Sequence, residues 1–307
     1  MSASVILATA GYGSIRLWQA TSAQCRQSIQ HPDSQVNRLD ITVDKQMLAA
    51  AGNPMIRIFD IASLSQNQNS IRTLSGHKGN VTTIAFQKQA RWMFSGSEDG
   101  LIKIWDIRAG GCQRDFSVGV SISDAILHPN QGEIVTVDET GYLRIYDLAA
   151  GKCSLALAVE DRTSLRSVSI ASDASMIAAA NNKGKCILWS VNDQHELELS
   201  HTINAHSAYL LRCLISPDSK YLATTSADRS VRIWNLSDGI ELGRTLHGHQ
   251  GWVWDCTFSA DSAYLVTASS DKTARLFDLG TGDVVLEYRG HSKAVTCVAL
   301  NDSPTIH

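Results

Sequence analysis

The chain has 307 residues, with 27 basic and 30 acidic side chains and a formal net charge of -3. A near-neutral surface argues against a nucleic acid or an anionic membrane as the main partner, because either would select a marked excess of positive charge. No apolar run approaches membrane-spanning length, and Met1-Ser2-Ala3-Ser4-Val5-Ile6-Leu7 lacks the basic segment and long apolar core of a secretory signal, so a cytoplasmic or nuclear location without membrane insertion is expected.

In chain order, residues 5–10, 14–19 and 24–29 read as three short strands, the second ending near Trp18. An aromatic then closes a β-like run about every 41 to 46 residues, at Phe59, Trp105, Tyr146, Trp189, Trp234 and Phe277. Residues 62–70, with Gln66-Asn67-Gln68-Asn69, read as a solvated connector. The sixth unit shows its strands directly as Val253–Phe258, Tyr264–Ser269, Ala274–Asp278 and Val284–Tyr288, separated by polar or Gly-rich turns. These strands are apolar on both faces, as expected of sheets packed between neighbours. After Gly290-His291 the chain offers one more strand, at 295–300.

A period near 44 residues, with Gly-His upstream and Trp-Asp downstream, marks WD-type repeats. The expectation is an all-β, seven-bladed WD40 β-propeller occupying residues 1–307 as a single domain. The three N-terminal strands lack an innermost strand and the C-terminal strand lacks the other three. Pairing the two ends completes a seventh blade and removes two exposed edges.

Interior blades carry a polar quartet at fixed spacing: His77, Ser97, Asp99 and Trp105 in the second, and His206, Ser226, Asp228 and Trp234 in the fifth. The sixth has His249, Ser269 and Asp271 with Phe277 in place of the indole. Ser, His and Asp are also the parts of a nucleophilic triad. A catalytic set would occur once, whereas this one recurs at blade period, so the quartets are read as structural hydrogen-bond chains. His247 and His249 alternate in strand fashion, but no third ligand accompanies them, and no metal or cofactor is expected. The seven cysteines repeat with the blades and are read as buried reduced thiols: Cys25, Cys112 and Cys153 in one register, Cys213, Cys256 and Cys297 in another. Basic residues two positions before the aromatic, such as Lys103, Arg144 and Arg275, are expected to cover apolar surface with their stems and reach carboxylates or water with their heads.

Residues flanking the start of each innermost strand should share one rim. Gln35, Asn37, Tyr209, Trp252 and Trp254 fall there. Indoles outside the quartet, at a loop-to-strand junction, read as a binding surface, since Trp and Tyr are enriched at interface hot spots.

The opening Val5-Ile6-Leu7-Ala8-Thr9-Ala10-Gly11-Tyr12, then Asp33-Ser34-Gln35-Val36-Asn37, Leu127-His128-Pro129-Asn130, Gly251-Trp252-Val253-Trp254 and Val266-Thr267-Ala268-Ser269-Ser270-Asp271 carry a resemblance. The chain resembles, nearly end to end, the small WD-repeat subunit of the TOR (target of rapamycin) kinase complexes, also called G-protein β-subunit-like. The resemblance implies a non-enzymatic scaffold that belongs to both complexes, TORC1 and TORC2, reaches endomembranes only through them, and binds and stabilises the C-terminal lobe of the TOR kinase catalytic domain. It also implies that Gln35, Asn37, Tyr209, Trp252 and Trp254 make the contact. The alternative reading is a peptide-reading WD40 adaptor, either a ubiquitin-ligase substrate receptor or a histone-tail reader.

Overall fold

The structure is a computed structural model that describes residues 5–63, 70–159, 162–192, 196–237 and 239–302. Most of the connector expected at residues 62–70 lies outside them. Six sheets have four antiparallel strands in chain order, and a seventh joins the two ends of the chain. The sixth blade has the strands read from its sequence, Val253–Phe258 through Val284–Tyr288.

Each blade runs from a buried inner strand to an exposed outer one. In the second, the inner Val81–Phe86 has no exposed residue and the adjacent Trp92–Ser97 is mostly buried, whereas the outer Cys112–Ser117 is exposed except at Phe116. The inner strands Arg38–Ile41, Val81–Phe86, Ile122–Leu127, Leu165–Ile170, Leu210–Ile215, Val253–Phe258 and Val295–Asn301 each touch the next, and the last touches the first. They form a closed ring of seven. The core lies between blades, as where Ile15, Leu17 and Ile29 meet Leu39, Leu48 and Phe59.

The seventh blade is built from both ends. Ile6–Gln19 is one continuous extended run; its first half pairs with Val295–Asn301, with Leu7 opposite Leu300 and Thr9 opposite Val298. Its second half pairs with Gln24–Gln35, with Ile15 opposite Ile29. The run doubles back near Gly13, whose φ of 86° suits glycine. The Trp18 indole N–H donates to Thr9 Oγ1 at 2.7 Å, although an unbent strand would hold residues nine apart at about 30 Å. The strands expected at 5–10 and 14–19 are therefore two arms of one hairpin. Tyr288 Oη ties the sixth blade to this one by donating to the Ala20 carbonyl at 2.6 Å.

The cysteine expectation needs correction. All seven thiols are free, but only Cys186, Cys213, Cys256 and Cys297 are buried; Cys112 and Cys153 are exposed and Cys25 is half-buried. Outer strands face water on one side, and these three residues stand on them. Among the described residues no helix is long and apolar enough to cross a membrane.

Candidate functional site: the channel mouth and its supports

Three blades carry a chain of histidine, hydroxyl and acid, but the hydroxyl is not the one expected. In the second blade His77 Nδ1 meets Asp99 Oδ2 at 2.9 Å and His77 Nε2 meets Ser95 Oγ at 2.7 Å, while Trp105 Nε1 donates to the same Ser95 Oγ at 2.8 Å. In the fifth, His206 meets Asp228 at 2.8 Å and Thr224 Oγ1 at 2.9 Å, and Trp234 donates to Thr224 at 3.0 Å. In the sixth, His249 meets Asp271 and Thr267 Oγ1, each at 2.7 Å, with the Phe277 ring edge-on at 6.3 Å.

Ser97, Ser226 and Ser269 therefore do not belong to the quartets; Ser95, Thr224 and Thr267 do. The ladder register explains it, because Met93 stands opposite Trp105 and Leu222 opposite Trp234. The residue two further along is the diagonal neighbour the ring can reach, and the residue four along is too far. Ser97, Ser226 and Ser269 instead accept the backbone N–H of Asp99, Asp228 and Asp271, fixing the hairpins that carry the acids. A fourth, incomplete chain closes the ring: His291 Nε2 meets Thr9 Oγ1 at 2.8 Å, and Tyr12 stands six residues before Trp18, where other blades have the acid. Its members lie 282 residues apart, which hid it in the sequence.

Electrostatics agree with a structural role. Burial lowers the His77 and His206 pKa values against the pull of Asp99 and Asp228. For His291, burial and then Arg16 lower it to about 4, so its ring is neutral near pH 7. Burial alone would raise the Asp271 carboxyl, but hydrogen bonds from His249, Thr273 and the Gln250 N–H outweigh it and hold the acid well below its usual range. Ser95 Oγ is fully buried, where no substrate carbonyl can approach it. Of the basic residues before the aromatics, Lys103 pairs with Asp115 at 3.5 Å, Arg275 with Glu287 at 3.4 Å and Arg144 with Asp138.

The rim lies at the start of the inner strands. Gln35, Asn37 and Trp254 line one cavity of about 350 Å³ there, together with Arg166, Leu211 and Thr296. Tyr209 and Trp252 stand beside it rather than in its wall. The three aromatics are contiguous, with ring centroids 6.5 Å apart for Tyr209 and Trp252 and 5.5 Å apart for Trp252 and Trp254. Tyr209 is 55% exposed and Trp252 42%, whereas Trp254 is half-buried and donates its indole N–H to Ser270 Oγ at 2.6 Å. Asn37 is held from both sides, accepting from Gln35 at 3.4 Å and donating to Asn80 Oδ1 at 2.6 Å and the Val81 carbonyl at 2.9 Å. Gln35 is exposed, and its amide carries an acceptor oxygen besides the nitrogen that donates to Asn37.

Beneath the rim lies an ion cluster the sequence reading missed. Arg212 meets Asp124 at 2.6 Å and Asp255 at 3.3 Å, and Arg38 meets the same two acids at 3.5 and 3.7 Å. These residues come from the inner strands of the first, third, fifth and sixth blades, so the cluster spans the channel. Burial would lower the Arg212 pKa, but the Asp124 and Asp255 carboxylates raise it, keeping the guanidinium charged. Asp124 also accepts the Val168 N–H and Asp255 the Val298 N–H, each at 3.1 Å, joining each blade to the next. The available signal was a lone charge at the same place in several otherwise apolar inner strands.

Seven radial sheets with recurring chains from histidine to acid define a WD-repeat β-propeller, and the model of the WD domain, G-beta repeat, matches residues 68–106, 197–235 and 240–278. The chain is 50% identical over 303 residues to the target of rapamycin complex subunit LST8 of Saccharomyces cerevisiae, covering 97% of this chain and 99% of that protein. It is 48% identical to the target of rapamycin complex subunit wat1 of Schizosaccharomyces pombe, over 97% of this chain and 96% of that one. Against the mouse target of rapamycin complex subunit LST8 the identity is 44%, over 97% and 95%. The chain belongs to the LST8 family.

Proposed function

We propose that this chain is a non-catalytic subunit of TOR complexes, and that its rim of Gln35, Asn37, Tyr209, Trp252 and Trp254 docks the C-terminal lobe of a TOR kinase catalytic domain. It works in the cytoplasm and meets endomembranes only through the assembly. The near full-length identity to relatives named as TOR complex subunits supports the first part. The observation that carries the second is the contiguous Tyr209, Trp252 and Trp254 cluster, two of whose rings stay in water. Clustered indoles exclude water over a partner segment, while the Gln35 amide fixes its backbone register. Asn37 holds Gln35 and ties it to the second blade through Asn80.

The test is co-purification of the kinase with Trp252→Ala and Gln35→Ala, each first shown to melt like the parent. Truncating a central Trp is expected to weaken docking by on the order of 2 kcal/mol, roughly thirtyfold. If both folded variants keep the parent affinity while substitutions on the opposite face abolish it, the rim is not the docking surface.

A further inference from the structure

The fourth blade breaks the pattern of the second, fifth and sixth. Six residues before its aromatic, Trp189, where those blades have Asp99, Asp228 and Asp271, stands Lys183; ten residues before it, in place of the hydroxyl, stands Ala179. Where they have a histidine 28 residues ahead, the sequence has Asp161, which lies outside the described residues. In the second and sixth blades a histidine ring packs against the aromatic, at 6.1 Å from Trp105 and 6.3 Å from Phe277. Beside Trp189 there is instead a cavity of about 170 Å³ between the third and fourth blades. It shares no lining residue with the channel mouth.

The walls of this cavity have two characters. Leu157, Ile187, Trp189 and Leu199 make it apolar, and Lys183 and Lys185 supply positive charge; no carboxylate lines it among the described residues. Both lysines are placed by the fold, because Asn181 Oδ1 accepts the backbone N–H of Lys183 and of Lys185, each at 2.9 Å. Between them Gly184 has a φ of 81°, and a Cβ there would stand 2.1 Å from the His206 carbonyl, so the hairpin is braced against the fifth blade. The indole N–H of Trp189 has no acceptor among the described residues, unlike those of Trp18, Trp105 and Trp234. At the margin, Leu199 is 64% exposed on the outer strand Leu197–Asn204.

We propose that this cavity is a docking site for an acidic peptide: one apolar side chain enters against Trp189, and flanking carboxylates pair with Lys183 and Lys185. The volume is near the roughly 150 Å³ of an apolar cavity that accepts a benzene ring, which suits one leucine or phenylalanine side chain. The paired lysines, with no carboxylate in the described wall to neutralise them, select an acidic sequence over a basic one. The unpartnered indole N–H is a donor for the peptide backbone.

The probe is a fluorescein-labelled hexapeptide, acetyl-EELFEE, titrated into the full chain up to about 1 mM and read by fluorescence polarisation. Saturable binding is expected, weakened about tenfold or more by Lys183→Glu with Lys185→Glu. Binding should vanish for acetyl-EESSEE and acetyl-KKLFKK and be unchanged by Trp252→Ala, which separates this site from the rim. Leu199→Glu, at an exposed position whose replacement does not threaten folding, should weaken it as well. Absence of saturation, equal binding of the basic peptide, full binding by the folded lysine variant and Leu199→Glu, or binding only to phosphatidylserine vesicles would each overturn the assignment.

Discussion

Thr224 takes an indole N–H and a histidine nitrogen on one hydroxyl, so its loss leaves the buried Trp234 N–H without a partner and His206 Nε2 with only the longer contact to the Thr224 carbonyl, at 3.3 Å. Such an orphan costs about 1 to 3 kcal/mol. Thr224→Val keeps the shape and removes only the hydroxyl, and is expected to lower stability by about 2 kcal/mol or more in urea unfolding. Ser226→Ala, which loses hydrogen bonds at a hairpin, should cost less. His206→Ala and Asp228→Ala belong to the same chain, so their losses should sum to more than the double variant loses. Equal effects of Thr224→Val and Ser226→Ala, or strictly additive losses, would contradict this wiring. The histidine, the acid and the aromatic were legible in the sequence because their spacing repeats. The hydroxyl was not, since residues two apart in a strand face the same side and only the register of the next strand decides between them.

At the scale of the strand, the last element closes the molecule. Val295–Asn301 pairs with the first arm of Ile6–Gln19 and packs beside the inner strands of the first and sixth blades. A chain ending at Gly290 would expose the edge of that arm and remove both His291 and the Val298 N–H that Asp255 accepts. The truncated protein is expected to aggregate, or to melt well below the parent, as seen by size-exclusion chromatography and thermal unfolding. Undiminished thermal stability would refute closure by this strand. This feature was legible because counting strands from each aromatic left one blade without an inner strand and one strand without a blade. The single-residue economy of the hairpin at Gly13 was not, because its shorter turn shifts Thr9 to nine residues before Trp18, where Ser95 and Thr224 stand ten before their indoles.

Across the whole molecule, the main contacts between blades join neighbours, an arrangement in which stability is largely a sum of local terms. The ion cluster departs from that, since Arg212 reaches an acid 88 residues away and Arg38 one 86 away. No local spacing foretells pairs so distant; only closure of the ring brings the four charges together. Because Arg212 is buried, removing one of its acids leaves a charge uncompensated, and Asp124→Ala is expected to cost about 3 to 5 kcal/mol. The cluster also stands one residue below the rim, with Arg38 following Asn37, Arg212 following Leu211 and Asp255 following Trp254. Asp124 has none of the rim aromatics as its neighbour in sequence, yet its two guanidinium partners directly follow Asn37 and Leu211. Asp124→Ala should therefore speed amide hydrogen exchange at the inner strands of the first and fifth blades as well as the third. An increase confined to the third and fourth blades, where Asp124 makes its backbone contact, would show that the four charges do not couple blades across the channel.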